Sequence, residues 1–344
     1  MVPNGKRRRL TGKQPVGNDD HVYRPPCSIA QADSADRVGV PKFVYNRLIN
    51  AGFPHIVLRM MMLLVCVRGM PELKLDVAEL FCGVAEITQA FTAAGFRTVG
   101  VDILFDKTHH DLTADAGFIY ALWLVMCLHP DGLCWLATVC SSWIWMSRSS
   151  TGRTATTPMG LPSLSTHAGN TMVARTAALI QLIAAKSAWY GLEQPHQSLM
   201  TSHPALARIK YLGEHLPWLK WHTQVMSMAA WEAESPKPTE LHSNAPWLRG
   251  VCLPRPKDYV KTNHDVAHTS RLEDGTVAVT GGRGLKRTQA YTSAFATGIL
   301  HAFVCFRGKH VHEIDLEDSE HVFEEDVEAF ESANFRSVLA FLEK

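Results

Sequence analysis

A mostly parallel α/β sheet with helices on both faces is the fold the sequence predicts, and three observations predict it. A short apolar run, Leu75 to Phe81, has the length and composition of a buried strand. Cys82-Gly83 breaks that run, and apolar residues then recur at helical spacing (Ile87, Ala90, Phe91, Ala94) up to Gly95, placed where a helix-ending glycine belongs. A second run, Arg97–Val101, ends on Asp102. Strand, glycine turn, helix, strand and acid, in that order, form a nucleotide-binding βαβ unit.

The residues of the unit narrow its ligand. A pyrophosphate cradle needs G-x-G-x-x-G, which Gly83-Val84-Ala85-Glu86 does not provide. Glu79 and Glu86 sit badly beside phosphates. A cationic adenosine ligand without phosphate, S-adenosylmethionine, suits the turn better, with Asp102 accepting from ribose hydroxyls. An ordinary βαβ unit without a ligand is the other reading.

At 344 residues the chain holds one large α/β domain with appendages, or two domains. Its 34 Lys and Arg against 33 Asp and Glu leave a net charge of +1, which argues neither for nor against nucleic acid. The charge is unevenly placed. Residues 1–38 are polar, lack a hydrophobic period and carry Lys6, Arg7, Arg8, Arg9 and Lys13, so a disordered basic arm is expected. Its cluster is of nuclear-import type or simply touches nucleic acid. Residues 39–70 are expected to be a helical lead-in broken at Pro54, with Met60-Met61-Met62 packing inward. Residues 71–311 are expected to form the main domain, with a short, basic, glycine-rich and irregular insert at 249–288 suited to contacts with a nucleic-acid backbone. Residues 312–344 are an acidic tail with an amphipathic helix over Val322–Leu342 that docks on the domain or on a protein partner. Opposite charge suggests that the tail covers the insert and competes with DNA. The eight cysteines show no CxxC pairing and read as reduced thiols of an intracellular protein. The most apolar run, Ile56–Val67, is too short for a bilayer and contains Arg59, so no membrane segment is expected.

Beyond Asp102, a strand is expected to end near His109-His110-Asp111-Leu112. The histidine pair reads as a metal ligand set or a surface turn; no second ligand cluster lies near it in sequence, and no metal is expected. A helix over Ala114–Leu128, a turn at Asp131-Gly132 and a strand over Leu133–Val139 follow, delivering Cys140 to a strand end. Cys140 is either a nucleophile, which requires a thiolate, or a buried structural cysteine. Ser141 to Pro162 is dense in Ser, Thr, Gly and Pro and reads as a mobile active-site loop, with Arg148 and Arg153 suited to a phosphodiester backbone. Trp143 and Trp145 stack on bases or pack the lid. A helix over Thr166–Lys186 leads to a strand over Ser187–Leu192 that ends in Glu193-Gln194-Pro195, where an unpaired carboxylate is costly as mere packing. A helix over Pro204–Leu216, an antiparallel pair over Trp221–Met228 and Thr239–Ser243, and a helix over Gln289–Phe306 complete the domain.

Taken together, Glu79-Leu80-Phe81-Cys82-Gly83, Ala94-Gly95-Phe96, Val101-Asp102, Asp111-Leu112, Cys140 and Glu193-Gln194-Pro195 resemble, in order, the motifs of the DNA cytosine-C5 methyltransferases over roughly Leu75 to Phe306. The resemblance implies a class I methyltransferase fold, Rossmann-like, with seven mostly parallel strands. It implies S-adenosylmethionine as cofactor, contacted by Phe81, Gly83, Asp102, Asp111 and Leu112. Cys140 would attack C6 of a cytosine in DNA, Glu193 would hold that base by N3 and N4, and Lys237 would stand near the DNA backbone with Arg148 and Arg153. The chain departs from the family at Ala85-Glu86 (a glycine pair there), Val139 (proline), Gln194 (asparagine) and Ser235–Pro238, where Lys237 replaces an arginine motif. RNA as substrate, and a nucleic-acid-binding scaffold that has lost methyl transfer, are the alternatives. A nuclear or otherwise intracellular site is expected.

Overall fold

The βαβ unit is present: β1 (Leu75–Leu80), α3 (Glu86–Ala93) and β2 (Thr98–Val101), with β1 and β2 parallel in the register Val77↔Thr98 to Leu80↔Val101. The structure, a computed structural model, describes residues 40–260, 267–271, 277–281 and 288–310. The expected basic arm and acidic tail therefore lie outside the described residues.

The lead-in is two helices, α1 (Lys42–Asn50) and α2 (His55–Arg68), separated at Pro54. Met61 is buried, and Met60 and Met62 pack against the same core. After β2 come α4 (Asp115–Met126), β3 (Leu128–Leu136), the short helix α5 (Arg148–Thr151) and the long helix α6 (Leu164–Ala185). The start of α6 follows from Ser163 and Thr166, whose side chains satisfy each other's backbone N–H groups in a capping box. Then come β4 (Trp189–Pro195), α7 (Pro204–His215), β5 (His222–Ser227), β6 (Pro238–Ser243) and, last among the described elements, α8 (Ser293–His310).

The main sheet has six strands in the order β2-β1-β3-β4-β6-β5. The first four run parallel, and β6 is antiparallel to both neighbours, closing the sheet with the expected hairpin. Among the described residues there is no seventh strand in this sheet. The segment expected to form it, up to Leu112, is a chain of turns. Asp106 Oδ1 accepts from the N–H groups of Thr108 and His109, and Asp111 Oδ1 accepts from the N–H and hydroxyl of Thr113. Short acidic side chains thereby take the donors that a ladder needs. Two further boundaries differ. Asp131-Gly132 is not a turn before β3 but an irregularity inside it, where the pairing jumps from Leu75↔Leu128 to Val77↔Leu133. The insert at 249–288 is not wholly irregular, because it contains a separate antiparallel pair, β7 (Ala267–Arg271) and β8 (Val277–Gly281).

Helices cover both faces of the sheet. One apolar core gathers α1, α2, α4, α6 and α7 against Ala78, Leu80, Leu136, Tyr190 and Leu192. The other gathers α3 and α8 against Val77, Leu133, Trp135 and Leu241. The alternation of strand residues between the two cores is the period of two of a sheet buried on both sides. Among the described residues no helix is long and apolar enough to cross a membrane. Because β2 and β3 flank β1 on opposite sides, the order reverses between β1 and β3, and the carboxyl ends of these two strands bound the switch-point crevice in which open α/β sheets hold their ligands.

Candidate active site

The turn after β1 forms one wall of that crevice. Phe81, Gly83 and Ala85 have φ of 61°, 55° and 60°, a left-handed conformation that costs non-glycine residues energy. Two side-chain clasps hold it. Asp102 accepts from Gly83 N–H through Oδ2 at 2.8 Å and from Leu104 N–H through Oδ1 at 2.9 Å. Glu79, with none of its surface exposed, accepts from both the N–H and the hydroxyl of Thr88 through Oε2 at 2.7 Å. Its Oε1 is buried with no hydrogen-bond partner among the described residues. Burial pushes this carboxyl up to about 7 against the pull of the Thr88 hydrogen bonds. Burial, with Glu79 and Asp102 nearby, likewise pushes the Cys82 thiol up to about 12.

The other wall is assembled from four distant segments. Thr138 to Cys140 follow β3, and Glu193 lies near the end of β4. Lys237 stands between Pro236 and Pro238 just before β6, at φ 25°. Tyr291 lies two residues before α8. Glu193 Oε1 is 3.4 Å from Lys237 Nζ, and Tyr291 Oη donates to Glu193 Oε2 at 3.2 Å. The lysine contact is an ion pair without good hydrogen-bond geometry, so Oε1 keeps acceptor capacity. Trp135 Nε1 donates in turn to Tyr291 Oη at 3.0 Å. The indole fits because Gly191 lies beside it on β4; a Cβ there would come within 2.7 Å of the Trp135 ring.

Cys140 lies close enough to Glu193 and Lys237 to feel both charges. Burial first, then Glu193, push its thiol up to about 11, while Lys237 pulls it down. The backbone before it is held without the proline of the resembling family. Gln194 Nε2 donates to Thr138 O at 2.8 Å, Ser198 Oγ donates to Gln194 Oε1 at 3.2 Å, and Cys140 O accepts from Trp143 N–H at 2.8 Å. Gln194 thus spends its amide on the neighbouring strand end. No protein-family model matches the chain, and no curated protein is significantly similar to it in sequence.

The structure brings Cys140, Glu193 and Lys237 together and groups Phe81 and Gly83 with Asp102. Other expected site residues stand elsewhere. Arg153, expected on a phosphodiester, is only 1 % exposed. Its guanidinium lies 3.4 Å above the buried Trp143 ring and donates to Asn170 Oδ1, Thr166 O, Ser142 Oγ and Pro158 O. The loop needs that charge internally, so the arginine is a core strut here rather than a surface cation. Trp143 packs the loop in the same way, whereas Trp145 and Arg148 are exposed. Leu112 is buried and its carbonyl accepts from Arg175, so its side chain offers little surface to a ligand; Asp111 is half-buried. His110 stacks on Tyr120, and no group of His, Cys, Asp and Glu among the described residues is arranged to hold a metal.

Sequence reasoning missed Tyr291 and Trp135. A tyrosine at the head of the helix that returns beneath the crevice was the available signal for the first. Nothing in the sequence marks Trp135 as its partner.

Proposed function

We propose that the protein transfers a methyl group from S-adenosylmethionine to C5 of a cytosine in DNA. The observation that carries the reading is that Cys140 follows β3 and Glu193 lies near the end of β4, two adjacent parallel strands, while Lys237, just before the antiparallel β6, comes within 3.4 Å of Glu193 at the same edge of the sheet. The turn suits the cofactor's chemistry. The position of a Gly83 Cβ faces open space, Asp102 and Glu86 offer negative charge to a cation, and Ile103, Leu104 and Phe105 expose apolar surface beside Asp102 for a flat base. When bound, S-adenosylmethionine supplies an electrophilic methyl group on a sulfonium.

The protein's own residues supply the rest. C5 of cytosine is too electron-poor to take the methyl directly. A bond from Cys140 Sγ to C6, with a proton delivered to N3, turns C5 into an enamine-like nucleophile. Glu193 relays to N3 the proton that leaves the Cys140 thiol, and Tyr291, donating to Oε2, keeps its carboxyl oriented. After methyl transfer, water takes the C5 proton, the thiolate leaves C6, and N3 returns its proton through Glu193, which restores the aromatic base. The target nucleotide has to leave the helical stack to reach Cys140.

The test is covalent trapping. Fluorine at C5 cannot leave as a proton does, so S-adenosylmethionine and 5-fluorocytosine DNA should give a denaturation-resistant complex that Cys140→Ser abolishes and Cys82→Ser retains. A complex that survives Cys140→Ser overturns the assignment of the nucleophile. The thiol held up near 11 favours a second reading, a nucleic-acid-binding protein on the same fold without methyl transfer. Cofactor binding with no trapping on genomic DNA selects that reading or an RNA substrate, and an adduct on 5-fluorocytosine RNA separates the two.

A further inference from the structure

The amino edge of the sheet, opposite the crevice, carries a basic and aromatic groove. Two adjoining hollows of about 300 and 200 Å³ share His222 and Pro246. Arg47, Lys220 and Arg249 line them, with Asp131 as the single acid among the lining residues. Lys220, His222 and Arg249 are exposed. Arg47 is steered into place by hydrogen bonds to Ala185 O and Ser187 Oγ and lies over the Trp218 ring. A cationic rim on indole walls fits an extended acidic segment with interspersed apolar residues.

The chain delivers such a segment to this spot. Near the end of α8, Phe306 packs edge-on against Trp189, a wall of the larger hollow, at 5.4 Å, and also lies against Trp247. Arg307 Nη1 reaches Asp76 Oδ1, near the start of β1, at 3.1 Å. The residues that follow α8 therefore leave beside the groove, not beside the crevice. They read Val311-His312-Glu313-Ile314-Asp315-Leu316-Glu317-Asp318-Ser319-Glu320, alternating acid and apolar residues from Glu313 to Glu317, and no Lys or Arg occurs before Arg336. Ten residues reach at most about 35 Å. We infer that the acidic segment following α8 docks in this groove of its own chain, with Glu313, Asp315 and Glu317 toward Lys220 and Arg249 and with Ile314 and Leu316 toward Trp218 and Pro246. Docked there, the segment leaves the Cys140 edge open and does not cover the 249–288 insert beyond Arg249.

Zero-length carbodiimide coupling of the full chain at low salt, read by mass spectrometry, tests the placement. Amide bonds from Lys220 Nζ to Glu313, Asp315 or Glu317 are expected. Their yield should fall severalfold in Arg249→Glu or in high salt, with the thermal midpoint of the variant unchanged. Coupling of the same acids to Lys257, Lys261 or Lys286 instead would put the tail on the insert and overturn the inference. So would the absence of any Lys220 product, or products that join isotopically distinct copies in a mixed sample.

Discussion

Two buried glutamates project from the same face of the sheet, and their surroundings are opposite. Glu79 on β1 is clasped by one neighbour nine residues away, Thr88, and no cation among the described residues is paired with it. Glu193 on β4 has a counter-charge from Lys237 and a hydroxyl from Tyr291, 98 positions along the chain. Both carboxyls are within electrostatic reach of Tyr291. The difference teaches what a buried acid needs for each task. A carboxyl that only ties a turn can be neutral, since one hydroxyl and one N–H satisfy one oxygen. A carboxyl that is to hold a base must remain polar and aimed, which takes a cation and a donor from outside its own strand.

Removing the cation should break the contrast most severely. Lys237→Met leaves Glu193 buried without its counter-charge, and a loss of about 3–5 kcal/mol in denaturant-unfolding stability is expected. Glu193→Gln in the same chain should restore most of it. The same Lys237→Met change withdraws the charge that draws the Cys140 thiol down. Alkylation of Cys140 should therefore require higher pH, as followed by peptide mapping.

Glu79 sharpens the contrast through pH. Its carboxyl titrates at about 7 in the folded chain against 4.5 for the free group, so the folded state binds the proton more tightly than the unfolded one. Its contribution is therefore most favourable below pH 4.5 and is lost as pH rises toward 7, a decline of about 3 kcal/mol. Glu79→Gln should flatten that part of the stability–pH curve, and an unchanged slope would mean that Glu79 is ionised throughout.

The smallest effect is expected from the hydroxyl. Tyr291→Phe keeps the ring against Trp135 and Phe295 and removes the donor to Glu193 and the acceptor of Trp135 Nε1, costing about 1–2 kcal/mol. If Glu193 works as proposed, the rate of trapping on 5-fluorocytosine DNA should fall further than cofactor affinity does. Equal losses in both would make Tyr291 a packing residue.

What the sequence determined by itself is the part held by short-range forces. The strand–turn–helix–strand unit from Leu75 to Val101 and the left-handed Gly95 that ends its helix are read from helical spacing and turn chemistry alone, whereas the clasp of Asp102 on Gly83 N–H, 19 positions away, takes a carboxylate that the sequence assigned to a ribose. The hairpin at the end of the sheet was legible for the same reason. The expected seventh strand was not realised, because aspartate side chains captured backbone donors that apolar pattern alone does not count. Tertiary structure decided the second wall. It turned Arg153 inward onto Trp143, gave Gln194 the work of holding Thr138, and joined Trp135 to Tyr291 across 156 positions. Buried polar groups take whichever partner the strand order carries within about 3 Å, and that order is set by the packing of all six strands together rather than by any local stretch.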